Sequence, residues 1–234
     1  MPSNSELSLF GGDRPWSPED WTASDDRVRG GSSHSMLECS KSSPSALFHG
    51  HLDTHTLGGA GFASQRTTGE DRKWDLAKYD GLQLKTNRSD GKRYAITLKD
   101  TLLEKRPDGR DRSTISWEYD FRAEEKSSVF VKWSDFTPTY RGKEVKDAEP
   151  LDLGNIKRIS LMMRSFFGTQ EGDFSLEIDS IAAVRTDQYY DDSDSDEEWV
   201  RVNHFDEKAS ASASASPNHK QKAFQLPTGC CWFF

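Results

Sequence analysis

The 234-residue chain can hold one sizeable domain or at most two, and only 33% of it is hydrophobic, so part of its length belongs outside any core. Its formal net charge of −8 is local: residues 187–208 hold nine acids against two bases, and the remainder is close to balanced. No basic face is available for nucleic acid, no apolar run approaches the length of a membrane span, and three cysteines cannot staple a secreted fold.

Taken in chain order, Met1 to Phe10 has no basic start and no long apolar stretch, so neither a secretory signal nor an Arg-rich presequence is expected there. Trp16 and Trp21 precede Asp25-Asp26-Arg27-Val28-Arg29-Gly30-Gly31-Ser32-Ser33. Diglycine, acids and serines favour a tight turn over a helix. Two readings follow: a polar loop that offers a partner backbone groups and carboxylates, or a buried turn wired by an Asp–Arg pair. A strand-like run, His34–Cys39, comes next.

Ala46–Leu52 is a short apolar run closed by Asp53, and Phe62-Ala63-Ser64 follows a glycine cluster. Leu82–Lys85 ends near Asn87, and Asp90-Gly91 predicts a hairpin into Tyr94, Ile96 and Leu98 on one face. Ile115, Trp117, Tyr119 and Phe121 alternate, as do Val129, Val131 and Trp133, then Ile159, Leu161 and Met163, and last Phe174, Leu176 and Ile178. Period two at regular spacing, with no helical stripe of any length, predicts an all-β antiparallel sandwich or barrel. After Arg185 the acidic run and the Ala-Ser repeat of Ala209–Ser216 predict a disordered tail. The expected layout is a flexible N-terminus (1–6), a β-sandwich (7–185), an acidic low-complexity linker (186–229) and a terminal segment (230–234).

Candidate chemistry is sparse. Gly58-Gly59-Ala60-Gly61 lacks the Lys-Ser/Thr and the βαβ context of a phosphate loop. His49 and His51 share a strand face near His55, but nothing supplies a fourth zinc ligand or a second shell. Asp25, Asp26 and Asp179 give fewer oxygens than calcium needs, and no Gly-x-Ser-x-Gly nucleophile elbow occurs. No catalytic residue, metal or cofactor is therefore predicted. Trp117 and Trp133 belong to core stripes. Trp16, Trp21 and Trp74 fall in loops, where they would stack on a sugar, anchor a protein, or plug the ends of the sandwich. In the tail, Ser193 and Ser195 each have an acid three residues on and suit acid-directed kinases. Cys231-Trp232-Phe233-Phe234 has the C-a-a-X form, with Cys230 as a second lipid acceptor and membrane contact as the consequence.

Several blocks, in order and spacing, resemble the complex I intermediate-associated protein family. They are Trp21…Asp25-Asp26…Gly30-Gly31-Ser32, Phe48-His49-Gly50-His51-Leu52, Gly58-Gly59-Ala60-Gly61-Phe62-Ala63-Ser64-Gln65-Arg66, Tyr79-Asp80-Gly81-Leu82, Ser89-Asp90-Gly91-Lys92-Arg93-Tyr94, Phe136–Gly142 and Gly172–Ile178. Arg29 stands where that family often has an apolar residue. The resemblance implies a galactose-binding-like jelly roll and a mitochondrial chaperone for respiratory complex I assembly. A non-enzymatic factor is expected, with a protein client: complex I subunits or other assembly factors. Trp21, Asp25, Asp26, Gly30, Gly31, Ser32, Arg66 and Arg141 would form its interaction loop. Alternatives are a carbohydrate-binding module and a cytosolic adaptor anchored to internal membranes by lipid. Location stays open between mitochondrion and cytosol.

Overall fold

Residues 5–39 and 43–186 are described by the computed structural model. Apolar–polar alternation over short runs yields strands with one face buried, and thirteen strands form among the described residues. In chain order they are β1 Glu6–Gly11, β2 Trp21–Ala23, β3 His34–Cys39, β4 Ala46–Leu52, β5 Phe62–Thr67, β6 Gly81–Ser89 and β7 Arg93–Lys99. After these come β8 Ser116–Arg122, β9 Ser127–Lys132, β10 Thr137–Tyr140, β11 Lys143–Glu144, β12 Arg158–Arg164 and β13 Gly172–Val184. The helical content among them is four short 3-10 turns.

The strands build two antiparallel sheets. One has the order β3-β4-β13-β6-β9, with β1 added against β13; the other is β11-β10-β8-β7-β12-β5-β2. Their inner faces close one core, including Phe48, Leu84, Tyr94, Ile96, Leu161 and Leu176. This is the predicted all-β antiparallel sandwich. Strand β13 is the long central element: β4 pairs with its first half, β1 with its second, and β6 with the other edge. Glu6 pairs with Val184, so the sandwich begins one residue before the expected boundary at Leu7.

Asp90-Gly91 does not close a hairpin. β6 pairs with β13 and β9, whereas β7 pairs with β8 and β12 in the opposite sheet. A turn motif fixes the local reversal and leaves open which strands then pair. Here Asp90 accepts from the Tyr94 hydroxyl at 2.9 Å and from the Ser175 amide at 3.1 Å. It thereby ties the turn to β13 as an arch between layers. Trp133 also departs from its stripe: β9 ends at Lys132, and Trp133 opens a 3-10 turn against the core.

Candidate interaction surface

Loop 25–33 links the edge strand β2 of one sheet to the edge strand β3 of the other. β2 pairs with β5 only at Gln65–Thr67, and the Ser24 amide adds one bond to Ser64 O. Further along, the carboxylates of Asp25 and Asp26 take over as acceptors for the free edge of β5. Asp25 accepts from the Ser64 amide at 2.9 Å and Asp26 from the Phe62 amide at 3.1 Å. On the opposite sheet Asp25 accepts from the Ser35 hydroxyl (2.7 Å) and amide (3.3 Å), and at the entry to β3 Asp26 accepts from the Ser33 hydroxyl (2.7 Å) and amide (3.1 Å). Asp25 therefore bridges the two sheets, and Asp26 ties β5 to the loop end that leads into β3. Asp25 is 3% and Asp26 0% exposed.

These acids are not presented to a partner, which corrects the open-loop reading of their side chains. A buried carboxylate needs several donors to offset its lost hydration, and the seam supplies them. Wiring by an Asp–Arg pair is also a minor feature: Arg27 sits 3.4 Å from Asp25 with its own side chain mostly in solvent. Gly30 closes the 3-10 turn at φ 83, the left-handed region that glycine enters without a Cβ clash. At Gly31 a Cβ would lie 2.3 Å from Asp26 Oδ1, so only glycine lets the chain pass this carboxylate. Ser32 bonds across to Thr56 at 3.1 Å.

What this locked loop does present is its rim. Val28 is 56% exposed, and the Arg29 guanidinium lies 5.4 Å from the Phe62 ring centroid. Loops 53–61 and 165–171 meet at the same end. The Ser165 amide donates to Gly61 O at 3.0 Å, and Thr54 Oγ1 donates to Glu171 at 2.5 Å. Phe166 and Phe167 both hold positive φ, 44° and 60°. Non-glycine residues pay about 1–2 kcal/mol each for that conformation. It lays the Phe166 ring between Arg93 (4.0 Å) and Arg164 (4.7 Å) while Phe167 projects fully into solvent. The sequence reading passed over this pair. Its signal was two adjacent phenylalanines between a strand end and Gly168.

The outer face of the seven-stranded sheet is charged. Arg164 pairs with Glu118 at 2.6 Å and with Asp120, and Arg93 pairs with Asp120 at 3.1 Å. Arg66 lies further along this face, 3.4 Å from Asp111 of the β7–β8 loop. Arg141 occupies the two-residue turn between β10 and β11 at φ 54, with Gly142 at φ 77, and touches Ser113 of that same loop. So Arg66 and Arg141 gather at the β7–β8 loop instead of joining Asp25 and Gly30.

Other candidates resolve as packing. Trp21 and Trp74 are buried, and Trp16 is half-buried in one aromatic cluster with Phe10, at centroid distances of 4.7–6.0 Å from it. They plug the sandwich end, so Trp21 is neither a sugar platform nor a partner anchor. His49 and His51 do share the outer face of β4, but the histidines disperse: His49 faces Glu38, His51 bonds Asp173 at 2.7 Å, and His55 faces Glu171. That bond from His51 is the first cause holding the Asp173 carboxyl below its ordinary range. Ser193, Ser195, Cys230 and Cys231 lie outside the described residues.

The geometry thus defines a two-sheet β-sandwich domain with an aromatic and arginine-bearing loop end. The family model for Complex I intermediate-associated protein 30 (CIA30) matches residues 10–178, and the chain belongs to that family. A Schizosaccharomyces pombe protein described as uncharacterized is 44% identical over 184 residues, covering 76% of this chain and 84% of its own. Among solved structures, a family 11 carbohydrate-binding module from Clostridium thermocellum in complex with a mixed-linked tetrasaccharide is 15% identical, with a TM-score of 0.49 over 77% of this chain and 95% of that one. A solution structure of CtCBM11 is 17% identical, with a TM-score of 0.47 over 79% and 98%.

Proposed function

We propose that the chain is a non-enzymatic, protein-binding assembly factor of the CIA30 kind, contacting its client through the end that carries Val28, Arg29 and Phe167. The observation behind this reading is Phe167, a large apolar side chain held wholly in solvent by a strained backbone on a well-anchored loop. Strain at an exposed residue is characteristic of contact sites. Aromatic and arginine side chains supply most of the energy of protein interfaces. The buried Asp25–Asp26 seam fixes the loop in advance, so little ordering entropy is lost on binding.

Complex I, named in the family description, is the first client to examine. Deleting the gene should lower assembled complex I and accumulate its intermediates on native gels, with rescue by the wild-type gene and poor rescue by Phe167→Ser. Unchanged complex I and unchanged intermediates would exclude that client.

A further inference from the structure

On the outer face of the seven-stranded sheet, Lys99 of β7 stands directly opposite Arg158 of β12, and Arg66 of β5 lies one register step away, opposite Ser160. Like charges placed across a strand pair repel, and these are not surface groups free to separate. The Arg158 side chain is 9% exposed and that of Arg66 24%. Burial, then the Arg158 charge, pushes the Lys99 ammonium down to about 8, and the same two causes lower Arg66. Glu118 and Asp120, the carboxylates on the neighbouring strand, are engaged by Arg164 and Arg93.

One carboxylate oxygen answers the cluster. Asp111 Oδ2 lies 2.8 Å from Arg158 and 3.4 Å from Arg66. Lys99 instead donates to Thr114 Oγ1 at 2.9 Å, further along the same loop. Three cations thus share one contacting carboxylate, with Asp100, Glu118 and Glu70 acting on them at longer range. The loop that brings Asp111 runs over residues 100–115, forms no strand, and leaves most of its side chains exposed. Along its middle the loop is held to the body by exposed contacts, Lys105 to Glu70 and Arg141 to Ser113, while Asp100 and Ile115 fix its two ends.

We infer that Arg66, Arg158 and Lys99 form a binding site for a phosphate-class dianion, and that Asp111 occupies it as a built-in, displaceable substitute. Two guanidiniums and an ammonium match the charge and the donor needs of a tetrahedral dianion. A single contacting carboxylate leaves donors of the cluster free for further acceptor oxygens. Entry of the dianion requires only that Asp111 swing out with its loop. The site lies apart from the Phe167 end and does not depend on the assembly reading.

Titrating the full-length protein with inorganic phosphate at constant ionic strength, against chloride, tests the site by NMR. The expected result is saturable shifts at residues 109–114 and at the Lys99 side chain, with phosphate but not chloride. Because Asp111 competes for the same donors, Asp111→Asn should bind phosphate about tenfold more tightly. Arg158→Gln should bind at least about tenfold more weakly, and if that variant fails to fold, Lys99→Gln serves in its place. Non-saturable shifts, equal response to chloride, or no gain in Asp111→Asn would overturn the inference and leave the Asp111 bridge as a loop pin.

Discussion

Asp26 accepts three hydrogen bonds, two from Ser33 at the entry to β3 and one from Phe62 of β5, and its removal leaves those donors without their acceptor. An unsatisfied buried donor costs about 1–3 kcal/mol, so Asp26→Ala should destabilise the domain by roughly 3 kcal/mol or more in denaturant titration. A loss under about 1 kcal/mol would mean that the seam is not what joins the sheet edges. Gly31→Ala should be harmful for the same reason, since its methyl group would collide with the Asp26 carboxylate. Lys99 gives a separate residue-scale test. In an unfolded chain it titrates near 10.5 and in the fold near 8, so between those values the unfolded state binds more protons. Stability from this group therefore rises as pH is raised through that window. NMR of the Lys99 side chain should show a midpoint about two units below that of the exposed lysines.

At the scale of elements, strand existence was legible because one buried face forces period-two alternation, as in Tyr94, Ile96 and Leu98. Pairing was less so. Asp90-Gly91 announced a reversal, but its bonds to Tyr94 and Ser175 turn that reversal into an arch, and such long-range partners leave no mark on local spacing. The candidate loop was legible as a turn, while the direction of its carboxylates depended on Ser64 and Phe62, nearly forty residues away. For the loop tryptophans the sugar, partner and plug readings stayed open for a related reason: polar neighbours in sequence do not reveal that Phe10 packs beneath them. The 165–168 turn carries the sharpest element-scale prediction. Replacing Phe167, which packs on nothing, with glycine relieves a left-handed backbone, so stability should hold or rise by up to about 1 kcal/mol while client binding falls. A stability loss above about 1 kcal/mol in a melting experiment would show that Phe167 serves the fold.

For the whole molecule, membership of the CIA30 family was legible because its blocks are the residues that build the seam and its flanks: Asp25, Asp26, Gly31, Phe62 and Ser64. A family signature made of buried connections marks architecture. The contact surface must then be sought beside it, at side chains the fold does not require. The proposed function accordingly seats the client at Val28, Arg29 and Phe167, the exposed side chains beside the seam. The most direct test is photo-crosslinking in cells, with a benzoylphenylalanine at position 167 and, as control, at Met36, which is exposed on the outer face of the other sheet. A discrete protein adduct from position 167 and none from position 36 is the expected result. No adduct at 167, or equal adducts at both, would contradict the assignment of this end as the client-binding surface.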